Sequence, residues 1–170
     1  FRSGPERIAI AGPNGSGKST FLKVLTASVA PWSGSAEIAV PFAVLDQRAS
    51  LLDANATVAA NFRRRNPAAD ENAARAALAR FMFRAEAADQ VVGTLSGGQL
   101  LRAALACVLG GPRPPQLLIL DEPTNHLDLS SIEEVEAGLQ GYDGAVIVVS
   151  HDEAFLDAVG ITRRIESPFV

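Results

Sequence analysis

The stretch GPNGSGKS at residues 12–19 constrains the fold of this chain more than any other. It fits the pattern G-x-x-x-x-G-K-S and stands between a short apolar run, RIAIAG, and a segment, KSTFLKVLTA, whose Phe21, Leu22, Val24 and Leu25 fall at helical spacing. Strand, glycine-rich loop and helix in that order make a cradle for phosphate. Gly12, Gly15 and Gly17 permit a tight loop, with Pro13, Asn14 and Ser16 between them, whose backbone N–H groups turn inward. The helix N-terminus adds its partial positive charge. In such a loop Lys18 reaches the β- and γ-phosphates of a nucleotide, Ser19 ligates Mg²⁺, and Thr20 follows in the first helical turn.

The rest of the chain supplies the setting for that loop. At 170 residues, with 48% hydrophobic residues, it has enough apolar material for one sizeable core, so one domain over residues 1–170 is expected, with a helical subdomain and the helix opened by LSGGQ together at about 49–110. A net charge of -4 argues against a bulk electrostatic attraction to nucleic acid or membrane, so any polyanion must be met locally. The single cysteine, Cys107, allows no internal disulfide and reads as a small buried hydrophobe in a reducing, cytoplasmic setting. No apolar run approaches the roughly 20 residues of a membrane-spanning helix.

Further along, FAVLDQ, LLIL and AVIVVS read as strands, residues 71–83, 132–140 and 152–159 as helices, and LSGGQLLRAALACVLG at 95–110 opens another helix. The predicted helix over 71–83 carries an apolar face at Ala74, Leu78, Phe81 and Met82. Near-continuously apolar strands alternating with helices predict an α/β fold, a mostly parallel sheet covered on both faces.

Two acids stand where LLIL ends. Ligands in parallel α/β sheets bind at the carboxyl ends of strands, which sets the end of LLIL beside the end of RIAIAG and its phosphate loop. Asp121 is then the candidate Mg²⁺ ligand. Glu122 is the candidate base that deprotonates a water for in-line attack on the γ-phosphate. His151, at the end of AVIVVS, could polarise that phosphate or hold the water; Ser150 and Glu153 fit a helix-capping pattern around it. Gln47, ending FAVLDQ, could touch Mg²⁺ or the water. A second anion-facing feature is LSGGQ, where Ser96 and Gln99 form a capping-box pattern and Gly97 and Gly98 leave helix N–H groups open. It has no phosphate of its own in one domain. The arginines of FRRRNP at 62–67 read as a solvated face, with RNA contact the lesser alternative, and Trp32 as a turn or surface residue.

GPNGSGKST, Gln47, LSGGQ, LLILDEP and SHD, in this order, resemble the nucleotide-binding domain of the ABC ATPases: Walker A, Q-loop, signature, Walker B and H-loop. The likeness runs from about Arg7 to the C-terminal end. It implies a P-loop fold with a small helical subdomain, Mg²⁺-dependent ATP hydrolysis, and a head-to-tail pair of domains in which ATP on one Walker A loop is capped by Ser96 and Gly98 of the other. DEPTNHLD and GAVIVVSHDEAFLDAVGITR look like the ABC-F class, which carries two such domains on one chain, lacks membrane spans, and in many members acts on the ribosome. On that likeness Asn125, His126 and Asp128 belong to the seam between domains. The implied partners are a second ABC domain and the ribosome. The alternative is the ATP-binding subunit of a membrane transporter, which shares the catalytic residues. A repair or chromosome-maintenance ATPase is disfavoured by the short path from Gln47 to Leu95, which holds no sustained heptads. The class places its first strands and its adenine-stacking aromatic ahead of Walker A, before the point where this chain starts, and no residue here is assigned that role.

Overall fold

The computed structural model describes residues 5–46 and 48–166. Five parallel strands form one sheet in the order β2-β3-β4-β1-β5: β1 (Arg7–Ala11), β2 (Phe42–Leu45), β3 (Leu117–Asp121), β4 (Ala145–Val149) and β5 (Arg163–Glu166). The pleat sorts their side chains between two faces. Leu118, Leu120, Val146, Val148 and Ala9 join the larger core under α4 (Gly97–Leu109), α5 (Leu129–Gln140) and α6 (Glu153–Val159). Leu117, Ile119, Val149 and Ile10 pack with Leu22 of α1 (Lys18–Leu25) on the other face. A sheet covered on both sides is what near-continuous apolar strands require.

Between β2 and β3 the chain makes a helical group, α2 (Val58–Arg65) and α3 (Glu71–Arg80), followed by 3₁₀ turns at Ala85–Asp89 and Val92–Thr94. Phe62, Leu78, Phe83 and Val92 bury it against the main core. Three expectations are corrected in this architecture. The end of β3 does not lie directly beside β1, because β4 intervenes, with Asp121 and Ile10 both in register with Val149. The helix predicted over 71–83 ends at Arg80. Met82 turns to φ 67° and is 53% exposed, so it leaves the apolar face, while Phe81 stays buried. The cap of α6 is Asp152, whose side chain accepts from the Phe155 N–H; Glu153 instead pairs with Arg164, so no Ser150–Glu153 capping box forms. Helix α2 and strand β5 have no counterpart in the sequence reading. No helix among the described residues is long and apolar enough to cross a membrane.

Candidate active site

All five strands run the same way, so their carboxyl ends share one edge, and the phosphate loop rises from that edge after β1. Gly15 and Gly17 hold φ at 83° and 91°, left-handed values that a side chain would strain, and Gly17 is itself the N-cap of α1. The Ser16 N–H donates to the Pro13 carbonyl at 3.2 Å, closing the turn, while Pro13, Asn14 and Gly15 form its exposed crest. Lys18 is 7% exposed, and its ammonium donates to the carbonyls of Gly12 at 2.7 Å and Pro13 at 3.0 Å. The cation is thus folded over the loop it is expected to serve. The Ser16 hydroxyl is buried without a hydrogen-bond partner, a vacancy of bonding that asks for an acceptor or donor from a ligand. Ser16, Gly17 and Thr20 also line an open apolar groove of about 750 Å³ along α1, with Trp32, wholly exposed, at its far end.

The acids converge as the register dictates. Leu45 pairs with Leu120, so Asp46 stands next to Asp121 at the same edge. Ser19, Asp46, Arg48, Asp121 and Glu122 line a cleft of about 280 Å³. Burial raises the Asp121 carboxyl above the ordinary range, and the nearby Asp46 charge adds to that; the Ser19 hydroxyl and the ammonium groups of Lys23 and Lys18 pull the other way. Asp121 Oδ1 is buried and lacks a hydrogen-bond partner. An orphaned carboxylate oxygen beside a hydroxyl suits a hard divalent cation. Mg²⁺ takes one or two protein oxygens and completes its shell with water and phosphate.

Glu122 adopts φ 50°, its N–H donating to the Val149 carbonyl at 2.8 Å, so the chain kinks where the strand ends and the side chain is turned towards β4. That strand leads directly into His151, whose Nε2 lies 3.5 Å from Glu122 Oε1. The intervening strand therefore brings His151 to Glu122. Burial raises the Glu122 carboxyl, His151 and Lys18 lower it, and Asp121 raises it. A carboxylate held partly out of water beside an imidazole can accept a proton from a water molecule.

The LSGGQ segment is built as the sequence predicts. Ser96 caps α4, its side chain accepting from the Gln99 N–H while Gln99 Oε1 accepts from the Ser96 N–H. Gly97 and Gly98 let this helix start press against Leu127 and against Ser131 in the first turn of α5; a Cβ on Gly98 would lie 2.1 Å from Ser131 Oγ. Asp128 caps α5, accepting from the Ser131 N–H at 2.8 Å; the Ser131 hydroxyl, and after it that N–H, hold its carboxyl below the ordinary range. None of Ser96, Gly97, Gly98, Gln99 and Asp128 lines the cleft of Ser19, Asp121 and Glu122. Gly97 instead borders a separate cavity of about 340 Å³ with Asn125 and His126. Gln47 lies outside the described residues. Asp46 and Arg48 belong to the cleft but escaped the sequence reading, where a lone Asp or Arg at a strand end carries no pattern.

The ABC transporter family model matches residues 3–125. The chain belongs to the ABC family. Among its relatives, this ABC domain is 40% identical over 147 residues to the tylosin resistance ATP-binding protein TlrC of Streptomyces fradiae, covering 86% of this chain and 26% of that protein. It is also 40% identical over 157 residues to ATP-binding cassette sub-family F member 3 of Pongo abelii, covering 90% and 22%. The structure superposes with a TM-score of 0.75 and 28% identity on a chain of the complex of archaeal ribosomal stalk protein aP1 and archaeal ribosome recycling factor aABCE1, covering 96% of this chain and 32% of that one. These matches make it an ATP-binding domain of an ATPase class, most like the ABC-F members. The chain spans 21–34% of the length of the curated relatives it matches.

Proposed function

We propose that this ABC domain hydrolyses ATP with Mg²⁺ as one half of a head-to-tail pair of domains, in a cytoplasmic ABC-F protein that acts on the ribosome. The observation that carries the chemistry is the meeting, at one sheet edge, of the phosphate loop, the unpartnered Asp121 oxygen and the Glu122–His151 pair. The loop N–H groups from Gly12 to Thr20 receive the phosphates, and Lys18 exchanges its two carbonyl acceptors for β- and γ-phosphate oxygens. Ser19 and Asp121, with Gln47, would hold Mg²⁺, which when bound neutralises charge on the phosphates. Glu122 takes the proton of the attacking water; His151 fixes that carboxylate and contacts the γ-phosphate.

The LSGGQ surface supports the pairing. Its helix N-terminus, with Ser96 and Gly97 exposed, Gln99 partly so and Gly98 buried behind them, does not line the cleft of its own domain, so it is available to a nucleotide on another. Asp128 and the loop before it would lie at the seam. Likeness to an F-class member and to a chain of the complex of a ribosomal stalk protein with a ribosome recycling factor supports the ribosome as partner. The test is co-sedimentation of the full-length Glu122→Gln protein with ribosomes and, separately, with membranes, with and without ATP. ATP-dependent ribosome association is expected; membrane association without ribosome binding would move the assignment to a transporter subunit. Sedimentation velocity of the same variant is expected to show an ATP-dependent closed pair.

A further inference from the structure

The three consecutive arginines at the end of α2 do not share one fate. Arg63 pairs with Glu71 at 2.9 Å, and Arg64 with Asp53 at 3.2 Å while also donating to Asn61. Arg65 has no carboxylate within ion-pair distance among the described residues; it lines a polar cleft of about 360 Å³ that Arg113 also lines. Arg113 is likewise exposed and without a carboxylate partner among them. The cleft lies beside Pro41 and Pro115, which precede β2 and β3, and so opens at the amino ends of the strands, away from the phosphate loop.

The two segments that carry these arginines are joined by built structure. The Asn66 amide donates to the carbonyls of Phe62 at 3.0 Å and Cys107 at 2.9 Å, tying the end of α2 to the end of α4. The turn carrying Arg113 comes so close to this amide that a Cβ on Gly111 would lie 1.8 Å from Asn66 Oδ1. Pro112, Pro114 and Pro115 stiffen that turn on either side of Arg113.

We propose that this cleft binds the phosphodiester backbone of a polynucleotide, one phosphate held between Arg65 and Arg113. Paired guanidinium forks match phosphate oxygens, and two like charges facing one cleft with no counter-charge are satisfied by an anion. The lining carries no aromatic ring on which a base could stack, so the contact reads backbone and not sequence. The adjacent Arg63 and Arg64, about half exposed although paired, sit on the same helical turn where neighbouring phosphates would pass. The chain's net charge of -4 makes this a local attraction. The inference is independent of the nucleotide site at the other edge of the sheet.

The test is fluorescence anisotropy of the chain with a labelled single-stranded RNA of mixed sequence over a salt series, inorganic phosphate serving as competitor. Arg65→Ala/Arg113→Ala should weaken binding about equally for unrelated sequences and reduce the log–log salt slope by about 0.7, the value for one lost phosphate contact on a single strand. Arg65→Lys/Arg113→Lys should restore most of the slope, and ATP binding should be unchanged in both, which separates the effect from misfolding. An unaltered slope in the alanine double variant overturns the proposal. So does displaceable binding of inorganic phosphate at this cleft with no RNA binding by the wild type.

Discussion

At the scale of single residues, two side chains carry opposite expectations. Glu122→Gln keeps shape and hydrogen-bonding capacity but cannot take a proton. Turnover should fall about 10²-fold or more while ATP affinity is retained, measured by steady-state phosphate release beside nucleotide titration. Near-wild-type turnover would remove Glu122 from the role of base. Lys18→Ala removes a cation already poised over the loop by two carbonyl hydrogen bonds, and the expected loss is of ATP binding itself. The contrast between these variants separates the binding of phosphate from its hydrolysis. Both residues were legible in the sequence because their work is local. A loop that needs positive φ at Gly15 and Gly17 writes those glycines into the chain, and the lysine follows at a fixed offset. Asp46 was not legible, since its part in the cleft comes from the β2–β3 register and not from any neighbour in sequence.

At the scale of elements, the start of α4 depends on close approach. Gly98→Ala drives a methyl into Ser131, whose Oγ and Cβ would lie 2.1 and 2.3 Å away. Both elements must shift, and overpacking of this kind costs about 1–3 kcal/mol. Because the clash includes the Ser131 Cβ, adding Ser131→Ala should give little relief and Ser131→Gly more, a ranking that denaturant melts would check. A second element-level expectation concerns pH. Arg164 lowers the Glu153 carboxyl by its hydrogen bonds, clipping α6 to β5. A lowered folded value means that this contribution is present above the unfolded Glu range near 4.3 and fades as pH falls through the folded value. Hence Tm should be lower in Glu153→Gln than in wild type at neutral pH, with the gap closing in acid; a gap independent of pH would assign the clip no ionic part.

These same elements mark where the sequence was silent. Strand β5 is RRIE, without the apolar run that announces a strand, and its pairing comes from lying along β1. Helix α2 is short, with a mean composition weighted by three arginines, and its Thr57 cap is an isolated signal. For α6 the Ser150–Glu153 pattern set the cap two residues early, and Asp152, next to the helix, takes the role by accepting from Phe155. Helix α3 ends early because Met82 leaves helical φ, which no glycine or proline in the sequence foretells.

At the scale of the whole molecule, strand order is decided by crossovers, and these are not encoded in any local pattern. Placing β4 between β3 and β1 distributes the site over three adjacent strand ends, so that the acids, the histidine and the phosphate loop stand side by side in that order. A nucleotide bridging them should tie together elements distant in sequence and stabilise the sheet as a unit. Binding to the folded state alone adds RT ln(1 + [L]/Kd), about 2.7 kcal/mol at a hundredfold excess over Kd. The wild type and Glu122→Gln should therefore show a Tm that climbs with Mg²⁺-ATP concentration, whereas Lys18→Ala should hold the same Tm with and without it. Differential scanning fluorimetry over an ATP series decides this. A rise preserved in Lys18→Ala would place the nucleotide away from the phosphate loop and separate the loop from the acids that share its edge.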